Sequence, residues 1–201
     1  MSSQMVWYTA RSAGIVAWAV AAASVIWGLA LSTRALGKRP RPAWLFDLHR
    51  FLGGLALVFT AVHVVAILAD SYVPFGLVEV LVPFVGTWHP VAVAWGIVGL
   101  YVLLAVELTS LARTRIPTRV WRRVHFGGFA LYVVSTIHAL TAGTDGTSLP
   151  FLLAVVASVL IVVPLTAVRI AGSRRSGRTP IVPARVDAPL PTGLRRRVPA
   201  T

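Results

Sequence analysis

The sequence contains no cysteine. That excludes disulfide staples, thiolate-held iron–sulfur clusters and thiolate-ligated haem. Charge is also scarce. Only 12% of the 201 residues are Asp, Glu, Lys or Arg, and only 6 of them are acidic. The shortage of carboxylates removes the partners that intramembrane ion pathways usually use. In their place stands apolar sequence: 57% of the chain is hydrophobic and the mean hydropathy is +0.79. This is the composition of a helical membrane protein, and its length leaves room for one bundle with no second folded domain. A net charge of +13 taken alone points toward nucleic acid. The basic residues, however, lie in short runs between apolar segments and in the tail, where they set membrane topology.

Five segments reach the ~20 apolar residues that span a bilayer. They are 13–33, 44–69, 90–112, 120–142 and 149–170. The expected fold class is therefore all-α, a polytopic membrane bundle of five transmembrane helices, or six if 71–89 also spans. The stretch 71–89 is apolar but holds Pro74, Glu79 and Pro83. A sixth span there would put the five-Arg loop outside, so the segment reads as an outer interfacial or re-entrant piece. The loop charges alternate. Loop 34–43 carries Arg34, Lys38, Arg39 and Arg41, and loop 113–123 carries Arg113, Arg115, Arg119, Arg122 and Arg123. The tail carries Arg174, Arg175, Arg178, Arg185 and Arg195 to Arg197, whereas 70–89 and 143–148 have no Lys or Arg. The positive-inside rule then sets the N-terminus outside and the C-terminus in the cytoplasm of a cell membrane. The first apolar run is too long for a signal-peptide core, and its strong positive charge follows it rather than precedes it. The expected organisation is a short outer N-terminus (1–12), the bundle (13–170) and a basic disordered tail (171–201). The tail is rich in Arg, Pro, Gly and Thr, suited to fixing topology and to meeting anionic headgroups.

Inside the apolar segments lie four histidines in two matched pairs. His49 and His63 are 14 residues apart; His125 and His138 are 13 apart. Both helices enter from a basic loop, so His49 matches His125 in depth and His63 matches His138. At about 1.5 Å per residue the two levels lie roughly 20 Å apart, room for one haem in each leaflet. Bis-histidine ligation fills both axial positions and suits one-electron transfer. Gly53, Gly54, Gly127 and Gly128 would let either a macrocycle or a neighbouring helix come close. Arg50, Arg122 and Arg123 lie where inner propionates would emerge, and equally where topology alone would put them. Asp47 and Glu107 lie near inner helix ends and pair with arginines or snorkel. Thirteen residues leave His138 about one residue, or ~100°, off the face of His125; a local irregularity near Gly127–Gly128, or a different angular approach of the second haem, has to absorb it. A fifth histidine, His89, sits in the outer loop beside Trp88, as a loop residue or near an acceptor or metal ion. The rival functions for the set are a membrane anchor with structural histidines and a histidine-dependent ion or proton transporter.

With His49-x13-His63 in LHRFLGGLALVFTAVH and His125-x12-His138 in VHFGGFALYVVSTIH, the chain resembles the ferric reductase-like transmembrane domain superfamily. That group includes ferric reductases, NADPH oxidases and the haem-binding membrane subunit of the bacterial methionine sulfoxide reductase system. The resemblance covers residues 44–142. It implies an oxidoreductase or electron-transfer subunit carrying two haem b groups, with His49/His125 ligating the inner iron and His63/His138 the outer one. It leaves a flavin open as a further cofactor. The family commonly has six spans, and its larger members continue into a flavin- and NADPH-binding region whose fingerprint is absent from this sequence. A separate flavoprotein or a membrane quinol is the expected donor. Ferric iron, oxygen or a partner reductase is the expected outer-face acceptor.

Overall fold

The computed structural model describes residues 3–33, 35, 37, 42–71 and 75–176. Arg34, Lys38, Arg39, Arg41, Pro74, Arg178, Arg185 and Arg195 to Arg197 lie outside the described residues, as does most of the expected tail. The described residues form α1 (Ser3–Thr33), α2 (Ala43–Ala69), α3 (Leu77–Leu81), α4 (Pro90–Leu111), α5 (Thr118–His125), α6 (Gly127–Ala142) and α7 (Leu149–Ser176), with no strand among them. Five stretches are long and apolar enough to cross a membrane: α1, α2, α4, the combined α5–α6 and α7. Among the described residues, the segment 71–89 supplies only the one-turn α3 and no sixth candidate span.

Helix boundaries follow local chemistry. Pro42 and Pro117 cap α2 and α5, and Pro90 opens α4. Proline suits these places because the first helical N–H groups have no intrahelical partner. α1 begins at Ser3, well before residue 13. Residues 3–12 hold no Gly or Pro to stop a helix, so most of the segment expected as a short outer N-terminus is helical. α7 likewise continues past residue 170, to Ser176.

α1 packs mainly on α2 and also on α6 and α7, while α4 packs mainly on α6. Buried Ala10, Ala13, Ala17 and Ala21 give α1 a stripe of small side chains at helical spacing. Such stripes let helix backbones approach closely where lipid supplies no hydrophobic drive. Larger side chains fill the core elsewhere. Leu29 and Tyr132 pack with Val162, and Trp18 packs with Phe151 and Val155. The polar atoms buried with them are bonded: Tyr132 Oη to Ser158 Oγ at 2.6 Å, and Trp18 Nε1 donating to Thr136 Oγ1 at 2.9 Å. Outward-facing Val65 and Leu160 are more than 60% exposed. Apolar exposure on that scale along spanning helices is a lipid-facing surface.

Candidate functional site

The bundle brings the four histidines together in the expected pairs. The His49 and His125 rings have centroids 5.9 Å apart and planes at 82°. His63 and His138 are 6.4 Å apart at 75°. α2 and the α5–α6 pair therefore run in the same direction, with one imidazole pair at each of two levels.

Each ring rests on a neighbouring helix in a specific way. His63 Nδ1 lies 2.7 Å from the Ala10 carbonyl of α1, and His138 Nδ1 lies 2.9 Å from the Ala92 carbonyl of α4. A carbonyl only accepts, so Nδ1 carries the proton and donates in both rings. Nε2 keeps its lone pair. One turn beyond each carbonyl stands a glycine. A Cβ on Gly14 would come within 2.8 Å of the His63 ring, and one on Gly96 within 2.7 Å of the His138 ring. The same arrangement recurs at His49. Ser24 Oγ is 3.4 Å from His49 Nδ1, and a Cβ on Gly28 would lie 3.1 Å from the ring. Three histidines thus share one device, a small residue and a glycine four positions later: Ala10/Gly14, Ser24/Gly28 and Ala92/Gly96. None of these glycines stood out in the sequence. The available signal was the 14-residue offset from Gly14 to Gly28, which equals that from His49 to His63.

The four glycines singled out earlier divide in two. Gly53 lies against Glu107 and Gly127 against Val102 and Val106, so both serve helix packing; Gly54 and Gly128 have nothing within 4 Å of a notional Cβ. The break expected near Gly127 is present: α5 ends at His125, Phe126 interrupts, and α6 begins at Gly127.

Around the inner pair, Trp121 stacks on His125 with centroids 5.1 Å apart, and the Arg113 guanidinium lies 5.6 Å from the Trp121 ring centre. Arg122 and Arg123 are exposed on α5 and line a shallow groove with Phe126. Arg50 is exposed and pairs with Asp47 at 3.8 Å. Arg169, which the sequence reading passed over, sits 5.0 Å from the Phe126 ring centre and donates to Ser32 Oγ at 3.0 Å. A lone Arg inside the last span was its signal. At the outer level, His63, His138, Gly14, Gly96 and Arg11 line a common cavity. Arg11 is ion-paired with Asp145 of the 143–148 loop and packs over Trp7. The Arg11 hydrogen bonds hold the Asp145 carboxyl below the usual carboxylate range. His89 caps α4 in a left-handed conformation (φ 40°) beside Trp88, exposed and apart from both pairs.

The residues fit a bis-histidine haem. Imidazole–metal bonds of about 2 Å on each side require facing rings whose centres lie roughly 6 Å apart. Both pairs meet that requirement. Nδ1–H donation to a carbonyl is the usual outer partner of a metal-ligating histidine. Among the described residues no group of three or more His, Cys, Asp or Glu side chains is placed to hold a free metal ion.

The family model described as Ferric reductase like transmembrane component matches residues 13–136. The matched range contains His49, His63 and His125 and stops two residues short of His138. No curated protein and no solved structure matches the chain.

Proposed function

Because this chain belongs to the family of ferric reductase like transmembrane components, we propose that it is an integral membrane di-haem b cytochrome. It carries electrons from a flavoprotein or quinol donor on the basic face to an acceptor on the opposite face. Two facing imidazole pairs at two levels of parallel helices support this assignment most directly. His49 and His125 would hold one haem near the basic loop, and His63 and His138 the other near the loop 143–148. Haem b so held supplies one-electron transfer through its edge.

The remaining residues orient and insulate. The carbonyls of Ala10 and Ala92 fix the tautomer of His63 and His138, which leaves the Nε2 lone pair free to bind iron. Gly14, Gly28 and Gly96 leave room for the His63, His49 and His138 rings, respectively, against a neighbouring helix. Arg50, Arg122 and Arg123, with Arg169 added, supply cations for propionates or for an acidic donor surface at the inner rim. The basic loop 113–123 faces the cytoplasm of a cell membrane under the positive-inside rule, with the N-terminus outside. The acceptor is ferric iron, oxygen or a partner reductase.

The haem-to-protein ratio of detergent-purified material tests this. The wild type is expected to hold about two dithionite-reducible b-type haems. His49→Ala/His125→Ala and His63→Ala/His138→Ala should each hold about one. A wild-type protein without haem, folded and unaltered by these substitutions, overturns the proposal.

A further inference from the structure

Three of the four histidines share the small-residue-plus-glycine device, and the fourth does not. α4 runs antiparallel to α5–α6, with Gly96 against His138, Gly99 against Val134, and Gly127 against Val102 and Val106. Continuing that register brings His125 beside the last turns of α4. There the pair corresponding to Ala92/Gly96, 14 residues further on, is Val106/Ser110. A side chain stands where the other sites have glycine.

The consequence is visible in the hydrogen bonds. Among the described residues, three buried side-chain polar atoms have no partner: Ser110 Oγ, Trp121 Nε1 and His125 Nδ1. The Trp121 ring is stacked on His125, and the antiparallel register puts Ser110 at the facing end of α4. Leaving a buried polar atom unpaired forfeits its hydration without return, so each such atom calls for a partner. Trp121 Nε1–H only donates. If Nε2 of His125 ligates the iron, as the di-haem proposal requires, its Nδ1–H donates too. Ser110 Oγ accepts as well as donates. A single water satisfies the set: it accepts from the two N–H groups and donates to Ser110 Oγ.

We infer that Ser110 and Trp121 bind an ordered water that serves as the Nδ1 acceptor of His125, the role carbonyl oxygens play for His63 and His138. Ser110 and Trp121 are then positioning residues for the inner ligand. A carboxylate of a group held between His49 and His125 is the poorer candidate. With Nε2 bound to an iron between the rings, Nδ1–H would point away from that space. This inference rests on the di-haem proposal, and its physical content is that the inner imidazole has an exchangeable partner while the outer ones have fixed carbonyls. Donation from Nδ1–H raises ligand basicity and favours the ferric state.

Potentiometric titration of the purified holoprotein at fixed pH tests it. Ser110→Ala and Trp121→Phe each remove one hydrogen-bonding group and keep most of the volume. Each is expected to shift the reduction equilibrium of one haem toward the ferrous form by about tenfold, or 59 mV for one electron, and to leave the other haem unchanged. Ser110→Thr should restore the wild-type value. The exchangeable Nδ1 proton of His125, read by hyperfine spectroscopy in light and heavy water, should change in the same variants. If both haems are present and neither moves in Ser110→Ala or Trp121→Phe, the water site is refuted while the di-haem proposal stands. Density linking Trp121 Nε1 to a propionate instead of an isolated oxygen also refutes it. Wild-type protein devoid of haem removes both.

Discussion

Gly96→Ala is the most discriminating single change available at the outer pair. A Cβ at residue 96 would sit 2.7 Å from His138 Cε1 and 2.8 Å from Nδ1. Ordinary carbon contacts begin near 3.5 Å, so the ring must retreat by about 0.8 Å. Metal–ligand distances tolerate only about 0.2 Å. The displaced ring also loses its 2.9 Å bond to the Ala92 carbonyl on the same helix turn. Alanine gains about 1 kcal/mol of helix propensity over glycine, and overpacking costs roughly 1–3 kcal/mol. The fold should therefore survive with a small net loss, while affinity for the outer haem falls roughly 10–100-fold. Haem content should approach one per chain, with the loss confined to the outer spectral component. Gly172→Ala is the control, since residue 172 is exposed on α7 with nothing within 4 Å of a notional Cβ. It should keep both haems and lose no stability. A Gly96→Ala protein with two haems and a wild-type spectrum would refute the packing argument.

Other perturbations separate stability from cofactor binding. Asp145→Asn removes the partner of Arg11 and should cost about 1 kcal/mol at neutral pH, read as a lower Tm. The sign of its pH dependence follows from the lowered Asp145 carboxyl. The ion pair stabilises the fold above the ordinary carboxylate range near pH 4 and fades as pH falls through the folded value, so wild type and variant should converge in acid. Tyr132→Phe strips the hydroxyl bonded to Ser158; a Tm drop equivalent to about 1 kcal/mol with unchanged haem content is expected. Reduction by an acidic flavoprotein should slow with rising salt, and Arg122→Glu/Arg123→Glu should abolish most of that salt dependence in stopped-flow traces.

Much of this site is legible in the sequence because membrane solvation makes polar residues conspicuous. A histidine in an apolar segment stands out, and loop charge gives each helix its direction, so His49/His125 and His63/His138 could be paired by depth. The supporting glycines are not legible in the same way. Gly14, Gly28 and Gly96 sit in apolar helices where glycine equally serves helix packing, as Gly53 and Gly127 do. Only the approach of a specific ring separates the two uses. The start of α1 was misplaced for another reason. Hydropathy marks where a helix enters lipid, whereas Ser3–Thr33 continues as a helix beyond that point. Arg169 was missed because charge was counted in loops, while its guanidinium returns to the bundle at Ser32 and Phe126.

The unequal histidine spacing finds its explanation at Phe126. On α2, 14 residues separate the histidines and the helix is continuous. Across α5–α6 there are 13, and a straight helix would leave His138 short of rotation by about 100°. Phe129 N–H bonds to the Phe126 carbonyl at 3.1 Å, three residues back instead of four. A turn of that tighter kind advances about 120° per residue against 100° for an α-helix. One such turn recovers roughly 60°, more than half the deficit. Deleting one residue from α2 between His49 and His63 lacks any such compensation, so it should cost a haem. Inserting one alanine after Phe126 should do the same by over-rotating a site already corrected. Retention of two haems in the insertion variant would mean that the tight turn does not set the position of His138.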